Sequence, residues 1–349
     1  MSLKDISNSD RINYLNIGLI ILSVAVAFYI PFELFLFSYA ILGPAHYLTE
    51  ISWLHERNYF STGKRDYILL GVSGILLFLL VYVNPHLNLF KAETNSHMTT
   101  GVVFIAFAAS LFMVVLKKPF HRFIAFLVIC AASSVFASSA SAILFLSVFL
   151  PTLIHVYLFT GLFMLYGALK SHSTSGYISC VIFFLAPLLF IFITPESFGI
   201  TDYAMMHYPM FQVVNQEAIK LFDISTLEGA KNWGDVVYHS KAGLIIMRFI
   251  AFAYTYHYLN WFSKTTVIKW HNVPKKRLAI IGVLWIASIT LYVLKYEWGF
   301  HVLFLLSFLH VFLEFPLNHV TFIGIFKELG LRAGFVKPPV TTTVKGKRK

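Results

Sequence analysis

Charge is what this chain has least of. Only 12% of its 349 residues are Asp, Glu, Lys or Arg, against about 25% in a typical soluble domain. With 58% hydrophobic residues and a mean hydropathy of +0.74, a soluble globular fold is excluded and a polytopic membrane protein is expected. Cysteine is nearly absent. Cys130 and Cys180 both fall in apolar runs, which makes them small packed hydrophobes and leaves no disulfide framework and no thiolate metal site. Dense histidine boxes of the His-x-x-His-His kind are missing, as are internal repeats and a second domain. No cleavable signal peptide is expected, because the first apolar run follows a polar stretch and lacks a small-residue cleavage site. The net charge of +11 does not point to nucleic acid. The basic residues sit in short segments between apolar runs, where they set topology.

The apolar runs define the architecture. Ten are long enough to span a bilayer: about 13–30, 32–54, 67–83, 99–116, 120–137, 141–168, 177–195, 242–262, 278–296 and 299–326. The expected fold is all-α, a single polytopic helix-bundle domain over 1–326. If the N-terminus is cytoplasmic, 21 of the 27 basic residues fall on the cytoplasmic side, the asymmetry of the positive-inside rule. Both termini are then cytoplasmic, and a bacterial inner membrane is the expected location. Residues 196–241 form a long outer-side loop that is expected to cap the bundle. Residues 327–349 read as a basic cytoplasmic tail, of which Lys337–Lys349 is expected to be disordered and suited to anionic lipid head groups. Arg248 and Glu33 are explained by snorkelling and interfacial belts.

Within the apolar runs, two copies of one pattern stand out. His46-Tyr47-Leu48-Thr49-Glu50 and His310-Val311-Phe312-Leu313-Glu314 are both His-x-x-x-Glu, a spacing that puts imidazole and carboxylate on one helix face. An ionisable group in lipid costs about 2.5–3.5 kcal/mol on insertion scales, so such a pair has a partner or a task. His155 and His257 lie in two other runs. All four histidines fall on helices running in one direction, at or beyond mid-span, with a scatter of about 15 Å in depth at about 1.5 Å per residue. Gly43-Pro44 loosens the helix beside His46. Tyr254, His257 and Trp261 share a face, and Asn260 is placed to orient a ligand.

A lone membrane histidine is ordinarily a hydrogen-bonding residue. Four together, with two carboxylates, favour a metal held by His46, His155, His257 and His310. Glu50 and Glu314 are candidate ligands, orienting partners or interhelical hydrogen-bonding groups; with Tyr254 they are also the candidate catalytic residues. His319 is nearly on the opposite face from His310 and is secondary. His55 is an interfacial residue, and His86, His97, His121, His172 and His271 are loop or interface residues. His207 and His239 belong to the outer loop without ligand spacing. Imidazole with carboxylate suits Fe, Zn or Mn. Fe(II), mononuclear or dinuclear, would leave a position for O2, and aromatic helices would admit a carotenoid, lipid or quinone from the bilayer. The reading is a membrane oxygenase acting on a hydrophobic substrate.

His46 in Gly-Pro-Ala-His, His155 in Leu-Ile-His-Val, His257 in Tyr-His-Tyr-Leu-Asn and His310 in Leu-His-Val-Phe-Leu-Glu give a chain that resembles the Brp/Blh-type β-carotene 15,15'-dioxygenases. The resemblance covers general architecture over most of the chain. It implies a non-haem iron held by these histidines and oxidative cleavage of a central polyene double bond. The family's His-Gly step followed by an aspartate is replaced here by His46-Tyr47 followed by Glu50, which leaves room for another substrate or a second metal. Two rivals remain. A di-iron lipid hydroxylase or desaturase would use both glutamates as ligands. A haem-binding electron carrier or a proton- or metal-coupled transporter would use histidine pairs as axial ligands or relays.

Overall fold

The computed structural model describes residues 3–193, 195, 197–222, 232–269 and 272–335. Among them the chain is all-helical, without a strand. The first helices in chain order are α1 (Leu3–Tyr29), the short α2 (Pro31–Phe37), α3 (Gly43–Glu56), α4 (Asp66–Leu87), α5 (Ala92–Val115), α6 (Pro119–Phe136), α7 (Ala140–Ser171) and α8 (Thr174–Phe192). Three shorter helices follow: α9 (Asp202–His207), α10 (Gln212–Phe222) and α11 (Trp233–His239). Then come α12 (Lys241–Ser263), α13 (Lys275–Leu294) and α14 (Tyr296–Arg332).

Among the described residues, eight helices are long and apolar enough to cross a membrane: α1, α4, α5, α6, α7, α8, α13 and α14. A ninth results if α11 and α12, bent by 70°, count as one span. The run expected over 32–54 is divided. Ile30 leaves helical geometry, Pro31 starts α2 at the position where its missing N–H costs nothing, and a π-helical turn at Ser38–Leu42 precedes α3. At the α11–α12 bend, the Ser240 hydroxyl accepts from Gly243 N at 2.9 Å and caps α12. A Cβ on Gly243 would stand 2.2 Å from Val236 O, so only glycine fits that approach.

Two packed cores result. One joins α1, α2 and α12 through Ile20, Phe32, Phe35, Phe252 and Tyr256. The other joins α4, α5 and α14 through Leu70, Leu77, Val103, Phe312 and Phe315. α6 and α13 bury only two residues each, and their exposed Phe123, Val128, Val283 and Ile286 suit a lipid-facing position.

The segment expected as an outer cap folds onto the first core. Ala204, Tyr208, Ile219 and Val237 are buried, and the Tyr208 ring meets Phe32 edge-on at 4.9 Å. Residues 223–231 of that segment lie outside the described residues. Glu33 ties the cap down rather than marking an interface: its Oε1 accepts from Thr201 N and Oγ1 at 2.8 and 2.9 Å. Arg248 corrects the snorkelling reading. It is fully buried and donates to Phe28 O at 3.1 Å and Pro195 O at 2.6 Å. The last carbonyls of α1 have no partner within their own helix, and the guanidinium supplies one. α14 continues into the first residues of the expected tail, to Arg332; residues 336–349, which include the segment expected to be disordered, lie outside the described residues. Both cysteines are free, Cys180 buried and Cys130 half-buried.

Candidate metal centre

Each of the four histidines is delivered by a different helix, at the seam between the two cores. His46 sits in the first turns of α3, directly after the π-helical turn and Gly43-Pro44. Gly43 lets the chain approach closely: a Cβ there would stand 3.1 Å from the Tyr47 hydroxyl and 3.3 Å from that of Tyr258. His155 lies in a π-helical stretch of α7, Ile143–Phe159, that contains Pro151. Proline removes one donor of the ordinary ladder, and π-helical widening is frequent at functional sites. His257 occupies the most thoroughly buried part of α12, and His310 the middle of α14.

The rings converge. His46, His155, His257 and His310 are 1%, 1%, 7% and 2% exposed, and one ring nitrogen from each lies within 4.8 Å of the others. His257 Nε2 is 3.0 Å from His46 Nε2, and His155 Nε2 is 3.1 Å from His310 Nε2. With metal–nitrogen bonds of about 2.1 Å, neighbouring ligands at right angles stand about 3.0 Å apart, tetrahedral ones about 3.4 Å and opposite ones about 4.2 Å. These two spacings match right-angle neighbours around one ion.

The two carboxylates take different places. Glu50 Oε2 is 3.0 Å from His46 Nε2, the nitrogen that also faces His257. The approach lacks hydrogen-bond alignment, and Oε2 has no hydrogen-bond partner. Two ligands aimed at a common third point look like this. Glu314 Oε2 instead lies 3.3 Å from His155 Nδ1, the ring nitrogen turned away from His310; this approach too lacks hydrogen-bond alignment, and the two carboxylates differ in which ring nitrogen they face. Both glutamates are buried, 2% and 1% exposed. Two carboxylates in such a setting need counter-charge, and a divalent cation would balance them. The donor set, the spacing and the charge all fit a metal ion.

Neighbouring side chains hold the rings. Thr160, five residues beyond His155, meets His257 Nδ1 at 2.7 Å. Trp261 Nε1 donates to Thr49 Oγ1 at 3.0 Å, and that hydroxyl donates to the carbonyls of Ala45 and His46 at 2.6 and 3.0 Å. The Tyr47 ring stacks on His310 with centroids 4.1 Å apart, while its hydroxyl bonds Tyr258 at 2.8 Å. Trp261 is marked in the sequence by the face it shares with His257; Tyr47 and Tyr258 are marked only by adjacency to a histidine, and Thr160 carries no signal.

Other expectations fall away from the centre. Asn260 does not orient a ligand; it donates to Asn16 Oδ1 at 2.8 Å and the Tyr256 hydroxyl at 3.1 Å. Tyr254 packs edge-on against Phe35 at 5.0 Å and lines no part of the cavity at the site. His319 bonds Phe107 O at 2.9 Å, apart from the cluster. His55, His86, His121, His172 and His239 are exposed and His97 and His207 half-buried. His271 lies outside the described residues.

A cavity of about 540 Å³ adjoins the cluster, with His46, His257, Glu50 and Glu314 in its wall. It continues past Phe163, Met164 and Leu317 to Lys170 and Lys264. Comparison with protein-family models, curated proteins and solved structures gave no match.

Proposed function

We propose that this protein is a membrane-embedded, non-haem iron oxygenase acting on a hydrophobic substrate. One observation carries the reading: four buried imidazoles converge within 4.8 Å, and two of them, His46 and His257, line a largely apolar cavity large enough for a small-molecule substrate. His46, His155, His257 and His310 would hold the ion, with Glu50 beside it and Glu314 orienting His155 through Nδ1. Bound Fe(II) would supply the activation of O2. The chain's own part is to fix the rings, keep water out and present a substrate chain to the ion through the cavity. A polyene cleaved at a central double bond, as the resemblance implies, is one form of this chemistry.

The spacing favours one ion over two, because two metals in a shared site stand about 3.5–4 Å apart and spread their ligands accordingly. Haem is a poor fit. Nε2 atoms at 3.0 and 3.1 Å leave no gap for a macrocycle between axial ligands. A tenth crossing by Pro31–Glu56 and cytoplasmic placement of both ends remain part of this proposal, supported by the distribution of Lys and Arg.

The test is metal analysis of anaerobically purified protein, with an optical spectrum of the same sample. Iron near one per chain without a Soret band is expected. A Soret band would turn the reading to electron transfer, and protein purified with metal present yet binding none would turn the histidines into a proton path or interhelical polar contacts.

A further inference from the structure

The cavity has two chemically unlike ends. Its deep end is lined by His46 and His257 of the cluster, and its rim carries two lysines. Lys264 lies seven residues beyond His257, hence about 10 Å along the helix direction, and Lys170 lies ten beyond Thr160, about 15 Å. Between them the wall is mostly apolar, with Phe163, Met164, Trp261 and Leu317. Among the described residues, Glu50 and Glu314 are the only acidic ones lining the cavity, and both are at the deep end.

The rim has cationic groups in want of an anion. Among the described residues neither Lys170 nor Lys264 forms an ion pair. Each ammonium lies over an aromatic ring instead, Lys170 Nζ 5.9 Å from Tyr166 and Lys264 Nζ 5.8 Å from Phe163. Burial pushes the Lys264 ammonium down to about 8, against the opposing pull of Glu50 and Glu314. A nearby acid, Asp10, is engaged by the hydroxyls of Ser173 and Ser175 at 3.2 and 2.5 Å. Elsewhere in the wall Asn16 Oδ1 accepts from Tyr256, Asn260 and Ser263, and the unpartnered Trp53 Nε1 and Ser179 Oγ are uncharged. The lysines are left as the cavity's cationic anchors. A plain hydrocarbon would give them nothing to pair with.

We infer that the substrate is a single-chain amphiphile with an anionic head group, which Lys170 and Lys264 hold at the rim while the chain runs inward to the histidine cluster. A fatty carboxylate and a lipid phosphate share this chemistry. The inference rests on the proposed function for what happens at the deep end, and on the cavity alone for what binds.

Tritiated palmitate binding to the full-length protein in maltoside detergent tests it by scintillation proximity, with unlabelled palmitate, methyl palmitate, lysophosphatidic acid and inorganic phosphate as competitors. Saturable binding is expected, displaced by palmitate and lysophosphatidic acid but about tenfold less well by the uncharged ester. The double variant K170Q/K264Q should bind palmitate about tenfold more weakly with its metal content unchanged, and K264R should retain affinity. Equal competition by the ester, or native affinity in the double variant, overturns the inference. Displacement by inorganic phosphate alone also overturns it, because the rim would then be a small-anion site. Metal content read on the same samples keeps the two proposals apart. Palmitate binding without metal sinks the oxygenase alone, and metal without saturable palmitate binding sinks the amphiphile alone.

Discussion

The two His-x-x-x-Glu segments share a spacing and differ in outcome. In α3 the pattern closes on itself: Glu50 stands 3.0 Å from the nitrogen that His46 turns toward the cluster. In α14 it does not. Glu314 passes its own His310 and meets His155 on α7. The difference begins in the backbone. α3 starts at a break, with a π-helical turn and Gly43-Pro44 just before His46, whereas His310 lies deep in a continuous 37-residue helix. A break lets α3 bring both of its polar groups to one point, while an unbroken helix presents Glu314 to whichever neighbour faces it. Spacing supplies a shared face; the neighbouring helix selects the partner.

The largest effects should come from the ligands themselves. His46→Ala, His155→Ala, His257→Ala and His310→Ala are each expected to lower bound metal at least about tenfold, measured by elemental analysis of purified protein. Full retention in two or more of the four would defeat a shared site. The glutamates then test the contrast directly. Glu50→Gln should weaken metal binding about 100-fold in competition with a chelator, and Glu314→Gln nearer tenfold, because it orients a ligand without reaching the ion. Equal losses would mean that the two segments do the same thing and that the contrast in their contacts carries no functional weight.

Smaller again is Thr160→Val. It removes the partner of His257 Nδ1 without changing side-chain shape much. A few-fold loss of metal affinity is expected, with about 1 kcal/mol of stability. Thermal unfolding in chelator separates the two contributions: if the whole effect persists in metal-free protein, Thr160 serves packing rather than the ligand.

How much of this was legible in the chain follows from what each residue depends on. The four histidines and two glutamates announce themselves because an ionisable group in an apolar run is costly, wherever the helix goes next. The spans were legible for the same reason, apart from the run that Pro31 and the π-helical turn divide. Residues whose role depends on facing another helix were not. Thr160 is an ordinary threonine until α12 brings His257 against it. Tyr254 shares a face with His257, but Phe35 of α2 fills the space beside it. Asn260 turns to Asn16 on α1, and Arg248 answers carbonyls left open by the end of α1. The cavity is a property of several helices together, so no single segment foretells it.

The smallest effect expected is none. His86 and His172 are exposed; the His86 ring meets Tyr82 O at 2.8 Å, and His172 Nδ1 is 3.2 Å from Arg332. Each belongs to a local contact at a helix end: His86 is on α4, which supplies no ligand nitrogen, and His172 caps α7, 17 residues beyond His155 and about 25 Å along the helix. His86→Ala and His172→Ala should therefore keep native metal content, and any stability change should stay within about 0.5 kcal/mol, as for most surface substitutions. This prediction guards the choice of the other four. Fourteen histidines in one chain can retain metal adventitiously, and alanine at a ligand then lowers the total without identifying the site. Loss at His86 or His172 comparable to loss at His46 would show that the measured metal is spread over the protein, and the contrast between Glu50 and Glu314 would have to be judged on tightly bound metal alone.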